Sequence, residues 1–203
     1  RACLRSVAPG AVAGPSREII VVDNGSTDDS RAMVRSDFPV VQLIESENVG
    51  FAAGSNKGIA VARGRYALLL NPDTEVLGDA LHALVRFMDS QPRAGLAGAH
   101  LVNPDGSFQH SAFRFPSLLM TFIDFYNLNH RILNSRFNGR YSAQQYAAGS
   151  FQIDHPLGAC MIVRRDVIES VGALDEGFFM YAEEIDWCMR IKRAGWEVWH
   201  VGD

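Results

Sequence analysis

The sequence is first informative for what it lacks. No uninterrupted apolar run in its 203 residues approaches the roughly 20 residues that span a bilayer as a helix. The amino terminus shows no basic stretch followed by an apolar core of the secretory kind. Three widely spaced cysteines, Cys3, Cys160 and Cys188, fit neither a disulfide framework nor a four-thiolate zinc site. These features favour a reducing, cytoplasmic setting.

A surplus of positive charge is also missing. Lysine and arginine number 19 against 23 aspartates and glutamates, and the net charge of -4 offers no basic field that would attract nucleic acid. At 47% hydrophobic and 21% charged, the chain can build one globular domain with a real core. We therefore predict a single domain over residues 1–203. Because the chain starts on Arg1, we expect it to be truncated at both ends.

Short apolar runs alternate with helical patterns in the first half. The runs Glu18–Val22, Val40–Ile44 and Tyr66–Leu70 predict strands, and the third is apolar throughout, as in a strand buried on both faces of a parallel sheet. A capping box at Ser26 and Asp29 predicts a helix start, and further helices are expected at 55–62 and 79–90. This alternation indicates an α/β fold.

The second half departs from simple alternation. A strand near Leu96–Val102 is expected to turn and pair with Ser107–Phe115, and Gly139–Gly149 is expected to form an irregular loop. The aromatic segment Ser117–Leu133 is interpreted as a membrane-surface helix, a cover for an acceptor, or a buried helix. The remaining predicted elements are a strand, two helices and a strand at Gly158–Val163, Arg165–Val171, Ala182–Ala194 and Glu197–Val201.

Two polar turns follow predicted strands. Asp23 and Asn24 come after the first strand, at the sheet edge where α/β proteins bind ligands, although they could simply build the turn. The turn Asn71-Pro72-Asp73 follows the third strand, and a carboxylate there suits a hard divalent cation that also binds substrate phosphates. The alternative is an ordinary Asn-Pro turn.

Acidic residues and one histidine lie near the carboxyl end. Glu183, Glu184 and Asp186 follow aromatic residues and suit a general base beside a sugar. Asp186 could also form an ion pair with Arg190, one turn further along a helix. His200 could reach a metal or a phosphate, or it could be a packed core residue.

The motifs taken in order resemble family 2 glycosyltransferases, especially the rhamnosyltransferase-like branch. They are VVDNGSTDDS, ENVGFAAGSNKGIAVARG, YALLLNPDTEV, HPLGACMIVRRDVIESVGALDEGFFMYAEEIDWCMRIKRAGW and VWHVG. The resemblance covers almost all of the chain except about 118–149. It implies a single GT-A-type α/β domain that binds a nucleotide sugar and inverts its anomeric centre. It also implies a mostly parallel central sheet, here apparently without its first strand.

The same resemblance implies residue roles. It places Glu184 as the catalytic base with Glu183 beside it, and it puts Asp73 and His200 near the metal. It implies nucleotide-sugar contacts from Asp23, Asn24, Gly50, Phe51, Asn56, Asn71 and Asp73. It implies an acceptor side formed by Gly158, Ala159, Asp186 and Trp187.

Cofactors and partners are implied in the same way. A Mg²⁺ or Mn²⁺ ion would bridge the donor diphosphate, although Asn71 occupies the first position of the family's Asp-X-Asp motif. The expected donor is deoxythymidine-diphosphate-rhamnose (dTDP-rhamnose), and the expected acceptor is a cell-envelope glycan or lipid-linked intermediate. One alternative is a non-catalytic nucleotide-sugar-binding scaffold. Another is a nucleotidyltransferase, for which the basic glycine-rich loop is not seen.

Overall fold

The computed structural model describes residues 1–8, 16–126 and 136–202. Its first half contains α1 (Ala2–Val7), β1 (Ile20–Asn24), α2 (Ser30–Asp37), β2 (Gln42–Ser46), α3 (Phe51–Val61), β3 (Tyr66–Leu70), α4 (Ala80–Ser90) and β4 (Ala94–Ala99). Its second half contains β5 (Leu101–Val102), β6 (Phe108–Gln109), β7 (Ala112–Phe113), α5 (Leu118–Phe125), a 3-10 turn (Arg136–Asn138), α6 (Ala143–Ala147), β8 (Phe151–Gln152), β9 (His155–Pro156), β10 (Cys160–Arg164), α7 (Arg165–Val171), α8 (Glu183–Arg193) and β11 (Glu197–Val201). The predicted α/β class is confirmed.

The central sheet is mixed, which corrects the expectation of a mostly parallel sheet. Its five strands lie in the order β3-β10-β4-β11-β8. Only β4 and β11 are parallel neighbours, and the other pairings are antiparallel. The reason is that β10 follows a long excursion of the chain through 101–156 and enters between β3 and β4, running against both. Strands β1 and β2 form a separate parallel pair.

Strand β4 has the sequence AGLAGA, and its small residues permit close packing. A Cβ on Gly98 would lie 2.3 Å from Cβ of Pro156, and one on Gly95 would lie 2.8 Å from Cβ of Trp196. Side chains at either position would therefore push neighbouring segments away from the centre of the sheet.

Two apolar cores cover the faces of the central sheet. Leu96 and Val163 belong to one core, together with residues of α7 and α8. The adjacent Ala97 and Ile162 belong to the other, together with Met88 of α4. Successive residues of a strand point to opposite faces, so β4 and β10 supply both cores at once. The helices are thereby fixed on both sides of the sheet.

Helix ends follow local signals in most places. The Phe38 backbone N–H closes α2 by donating to the carbonyl of Val34 just before Pro39, and Gly195 with φ +89° follows α8, as predicted. The predicted capping box at Ser26 and Asp29 is wrong. Helix α2 begins at Ser30, because the Ser26 backbone is bound to the carboxylate at the end of β1.

The second half differs from expectation in two places. Residues 139–149 contain helix α6, which opens with a true capping box between Ser142 and Gln145. Helix α5 leaves Leu118 and Phe125 exposed, so the buried-helix interpretation is wrong for its described part, while 127–135 lie outside the described residues. None of the helices in the described ranges combines the length and apolarity required to cross a membrane.

Candidate functional site

Asp23 lies at the carboxyl end of β1 and is held from two sides. Its Oδ1 accepts hydrogen bonds from the Ser26 backbone N–H at 3.1 Å and from Arg31 Nε at 2.6 Å. Only 6% of the residue is exposed. Burial alone would raise the pKa of this carboxyl, but the bonds from Ser26 and Arg31 outweigh burial and hold the pKa below its ordinary value. Asp23 is therefore a fixed, ionised acceptor.

An open pocket of about 580 Å³ adjoins this carboxylate. It is lined by Gly25, Ser26, Thr27, Arg31, Glu45, Ser46, Glu47 and Asn48. These residues come from the ends of β1 and β2 and from the first turn of α2, where a parallel strand pair presents its loops. Hydroxyls, amides and charges of both signs make this a polar pocket of the kind that suits a nucleoside.

The amide of Asn24 orders the loop that follows β2. Its Nδ2 donates to the carbonyl of Gly50 at 3.0 Å and to Oδ1 of Asn48 at 3.2 Å, while its Oδ1 accepts from the backbone N–H of Val49 at 3.0 Å. Asn24 therefore shapes the rim of the pocket. Direct contact between Asn24 and a nucleotide stays a prediction.

The side chain of Asn56 on α3 forms hydrogen bonds within the fold and does not line the pocket. Its Nδ2 donates to the Leu174 carbonyl at 2.8 Å and to Glu176 Oε1 at 3.0 Å, and its Oδ1 accepts from the Leu174 N–H at 3.1 Å. Both amide hydrogens are thus engaged. The predicted nucleotide contact is corrected to a structural link between α3 and the segment before α8.

The turn after β3 carries the predicted metal residues. The backbone N–H of Asn71 donates to the carbonyl of Ala159 at 2.9 Å, and Thr74 closes the turn through Oγ1, which donates to the Asn71 carbonyl at 2.7 Å. The hydrogen bonds of Asn71 within the described ranges all use its backbone, so its side-chain oxygen is available. Asp73 is exposed beside it.

The carboxylate of Glu184 lies next to the residue that precedes Ala159. A Cβ added to Gly158 would lie 4.0 Å from the carboxyl carbon of Glu184. Burial raises the pKa of Glu184, and the neighbouring charge of Glu183 raises it further, while a backbone hydrogen bond partly offsets the rise. Because Ala159 is bonded to Asn71, the structure brings Glu184 and the turn that contains Asp73 to neighbouring residues of the short segment Gly158–Ala159.

Glu183 is the more enclosed of the two glutamates. It is 5% exposed, and its Oε2 is buried without a hydrogen-bond partner in the part of the chain that the structure describes. Unsatisfied buried oxygens are uncommon and costly, and a catalytic role is one explanation for them. Glu183 and Glu184 are the first two residues of α8, and the functional role of Glu183 stays a prediction.

The residues before α8 form an exposed aromatic edge. Phe179, Met180 and Tyr181 are all exposed. Tyr181 and Ala182 have φ angles of 70° and 71°, a left-handed backbone that residues other than glycine seldom adopt. The carbonyl of Phe179 accepts a 2.8 Å hydrogen bond from the Phe51 N–H. The aromatic edge is therefore tied to the loop that Asn24 orders.

Two predicted acceptor-side residues make contacts within the fold. Trp187 is 0% exposed and donates from Nε1 to the Gly172 carbonyl at 2.8 Å, so it cannot face an acceptor. Asp186 accepts from Arg190 Nε at 2.7 Å, and the same guanidinium binds the carbonyl of Ala173 at 2.8 Å. The acceptor role predicted for Trp187 is wrong, and Asp186 follows the ion-pair alternative.

His200 lies in the core with both ring nitrogens unpartnered among the described residues, and its role as a metal ligand stays a prediction. It is 0% exposed, with ring centroids of Tyr146 and Phe151 at 4.8 and 5.0 Å. Burial and the nearby His100 lower its pKa to about 4. No cluster of three or more histidine, cysteine, aspartate or glutamate residues among those described could hold a metal ion. The metal roles of Asp73 and His200 therefore both stay predictions.

Two functional contacts were missed by sequence reasoning. Arg31 holds Asp23, and it lies on the first turn of the helix that follows the strand, where a β-α unit brings it back over the strand end. The carbonyl of Phe179 binds Phe51, and no local pattern predicts a main-chain contact over such a separation. Only the first contact had a signal in the sequence, because Arg31 directly follows the motif VVDNGSTDDS.

The chain belongs to the family described as Glycosyl transferase family 2, which residues 1–172 match. Over 195 residues it is 28% identical to the N-acetylglucosaminyl-diphospho-decaprenol L-rhamnosyltransferase of Mycobacterium tuberculosis, covering 88% of this chain and 62% of that protein. Over 162 residues it is 28% identical to the rhamnosyltransferase WbbL of Escherichia coli, covering 74% of this chain and 58% of the relative. The chain thus spans about three fifths of each.

Solved structures support the fold. The structure of GalNAc-T7 with UDP, GalNAc and Mn²⁺ superposes with a TM-score of 0.64 at 13% identity, covering 91% of this chain and 36% of that one. At this identity the likeness concerns the fold alone. The GT-A fold and membership of family 2, both implied by the sequence motifs, are confirmed, and the two relatives named above are rhamnosyltransferases.

Proposed function

We propose that this protein is an inverting glycosyltransferase whose general base is Glu184. The observation that carries the proposal is the half-buried carboxylate of Glu184 against Gly158, with the Asn71–Asp73 turn bonded to the next residue, Ala159. Its raised pKa suits a group that must accept a proton near neutral pH. Membership of family 2 and the two rhamnosyltransferase relatives support the same function.

The donor end follows from the pocket at β1 and β2. Asp23 is an acceptor that cannot donate while it is ionised, so it selects a base that offers a ring N–H. Ser26 and Arg31 fix its Oδ1 on one side, which orients the carboxylate before a ligand arrives. A nucleoside of the uracil or thymine type, which presents such an N–H, fits this preference.

The residues of the turn after β3 fit a hard divalent cation. Asp73 offers an exposed carboxylate and Asn71 an available amide oxygen, and such ions accept one or two protein oxygens together with substrate phosphates. When bound, Mg²⁺ or Mn²⁺ neutralises the charge that develops on the departing diphosphate. GalNAc-T7 was solved with Mn²⁺, which supports this assignment.

Transfer then needs only one displacement. The acceptor hydroxyl oxygen bonds to the anomeric carbon while the bond from that carbon to the diphosphate oxygen breaks, and Glu184 takes the hydroxyl proton. Attack on the face opposite the leaving group inverts the anomeric centre, and no enzyme nucleophile is required. General-base assistance of this kind contributes roughly 10²- to 10⁴-fold in rate.

The substrates are inferred from the relatives. The M. tuberculosis relative is named for L-rhamnosyl transfer to N-acetylglucosaminyl-diphospho-decaprenol, and dTDP-rhamnose with a lipid-linked or cell-envelope glycan acceptor is our assignment for this chain. The exposed face of α5, formed by Leu118, Leu119, Phe122 and Phe125, favours peripheral contact with a lipid surface. We place the reaction on the cytoplasmic side of that surface.

Donor turnover tests the proposal against a non-catalytic scaffold. The protein is incubated with Mn²⁺ and, in parallel, dTDP-rhamnose, UDP-N-acetylglucosamine or GDP-mannose, and release of the nucleoside diphosphate is measured. An enzyme releases the nucleotide from one donor class in a metal-dependent way. Tight binding of a donor without any release, with or without a glycolipid acceptor, would favour the scaffold.

A further inference from the structure

Gly50 lies at the start of α3 in a conformation and a space that only glycine satisfies. Its φ is +86°, and a Cβ there would lie 2.4 Å from the Phe179 carbonyl oxygen and 3.0 Å from the Phe179 Cα. Distances below 3 Å to main-chain atoms cannot be relieved by a side-chain rotation. Any larger residue at this position would therefore move the segment that contains Phe179.

That segment is bonded to the same loop. The backbone N–H of Phe51 donates to the carbonyl of Phe179 at 2.8 Å. On the other side, the carbonyl of Gly50 accepts from Asn24 Nδ2 at 3.0 Å. A continuous set of hydrogen bonds therefore runs from the end of β1, through the loop before α3, to the segment before α8.

The connection from Phe179 to the glutamates is short and constrained. Only Met180, Tyr181 and Ala182 separate Phe179 from Glu183, and the last two of these linking residues have left-handed φ angles of 70° and 71°. Such conformations are strained for residues other than glycine and persist only where surrounding contacts impose them. The hydrogen bond to the Phe179 carbonyl holds the amino-terminal end of this link.

We infer that Gly50 is a positioning residue for the reaction: by seating the Phe179 carbonyl it fixes the strained Tyr181–Ala182 link and hence the place of Glu184 beside Gly158. This inference rests on the proposed function for the role of Glu184. It also changes the predicted role of Gly50 and Phe51, since their main-chain atoms hold the segment that leads into α8, the helix that carries Glu184. The loop that borders the donor pocket and the residue that takes the acceptor proton thereby share one support.

The test compares Gly50→Ala with a matched control, Gly106→Ala. Gly106 also has a positive φ, +78°, but a Cβ there would meet nothing within 4 Å, so it reproduces the backbone strain without the collision. Misplacing a reacting group by about 1 Å can cost about 100-fold in rate. We expect Gly50→Ala to lower kcat for donor turnover at least 10-fold and Gly106→Ala to change it less than 3-fold.

Two readouts separate positioning from a general loss of structure. If Glu184 leaves its half-buried place in Gly50→Ala, its pKa loses the rise caused by burial, and the acid limb of the plot of kcat against pH moves to lower pH. A smaller folded fraction would instead lower kcat by the same factor at every pH. Ala182→Gly adopts the left-handed φ without strain, so it should fold and keep the parent kcat, and adding it to Gly50→Ala should recover at least about threefold of the lost kcat because the link then depends less on the hydrogen bond to Phe179. An unmoved acid limb in Gly50→Ala, or no recovery of kcat in the double variant, overturns the inference.

Hydrogen exchange distinguishes failure of this inference from failure of the proposed function. If the parent turns over no donor, the proposed function fails. Amide exchange then still shows whether Gly50 holds the segment before α8. Peptides covering 178–186 should exchange at least 10-fold faster in Gly50→Ala than in Gly106→Ala, at equal global stability. Equal exchange in the two variants would show that Gly50 does not hold the segment before α8.

Discussion

The carboxyl carbon of Glu184 lies 4.0 Å from the position that a Cβ on Gly158 would occupy. A methyl group at this distance makes an ordinary van der Waals contact, whereas a longer side chain competes with the carboxylate for the same space. We expect Gly158→Ala to retain donor turnover within about threefold and Gly158→Leu to lose at least about tenfold. The donor Kd, measured by titration, should stay unchanged in both, because the nucleoside pocket at β1 and β2 is built from other segments.

The raised pKa of Glu184 makes its charge a cost to the fold. A carboxyl whose folded pKa exceeds its unfolded value binds its proton more tightly when folded, so stability falls as pH rises from the unfolded pKa through the folded one. Glu184→Gln removes that loss and should be more stable than the parent at pH 7, with the difference vanishing below pH 4. Urea unfolding at both pH values measures this. A less stable Glu184→Gln at pH 7 would show that the ionised form is favourably bound.

The Mn²⁺ enhancement of donor binding should be lost when Asp73 is substituted and kept when His200 is substituted. Asp73→Ala removes the exposed carboxylate from the Asn71–Asp73 turn and should abolish the Mn²⁺ enhancement of donor binding in calorimetric titration. His200→Leu removes a buried ring whose nitrogens have no described partner, so it should keep that enhancement and leave stability equal or higher. Loss of the enhancement in His200→Leu with a normal response in Asp73→Ala would reverse the assignment.

The exposed face of α5 should mediate contact with lipid. Leu118 and Phe125 are two of its most exposed apolar residues, and burying such side chains contributes roughly 1.5–3 kcal/mol each. The double substitution Leu118→Gln and Phe125→Gln should lower sedimentation with phosphatidylglycerol vesicles at least about tenfold. Val40→Gln, which changes an exposed apolar residue outside α5, is the matched control and should sediment like the parent. Equal sedimentation of all three would remove α5 from lipid contact.

The sequence predicted what depends on neighbouring residues. Strand β3, helix α7 and strand β11 have the predicted bounds, because each is a local run of apolar or helix-forming residues bounded by clear breaks. The insertion of β10 between β3 and β4 could not be predicted, since pairing depends on residues far apart in the chain. Sheet order is for this reason a property of the whole domain rather than of any segment.

The acceptor-side assignment of Trp187 failed because the motif was interpreted without its helical periodicity. Trp187 stands beside acidic residues, but it also shares a helical face with Cys188 and Ile191, and all three are buried. His200 alternates with Val198, which marks the buried side of β11. Both patterns were visible in the sequence. The seating of Phe179 on Gly50 had no such signal, because it is a main-chain contact between distant loops.

The central claim is tested most directly by the transfer rate of Glu184→Gln. This substitution keeps the size of the side chain and removes its ability to take a proton, so kcat should fall roughly 10²- to 10⁴-fold while the donor Kd stays within about threefold. Asp186→Asn, which disturbs the ion pair with Arg190, should mainly lower stability. The kcat of Glu183→Gln should fall less than the kcat of Glu184→Gln. Near-parental transfer by Glu184→Gln, together with an inactive but folded Glu183→Gln, would contradict the assignment and make Glu183 the base.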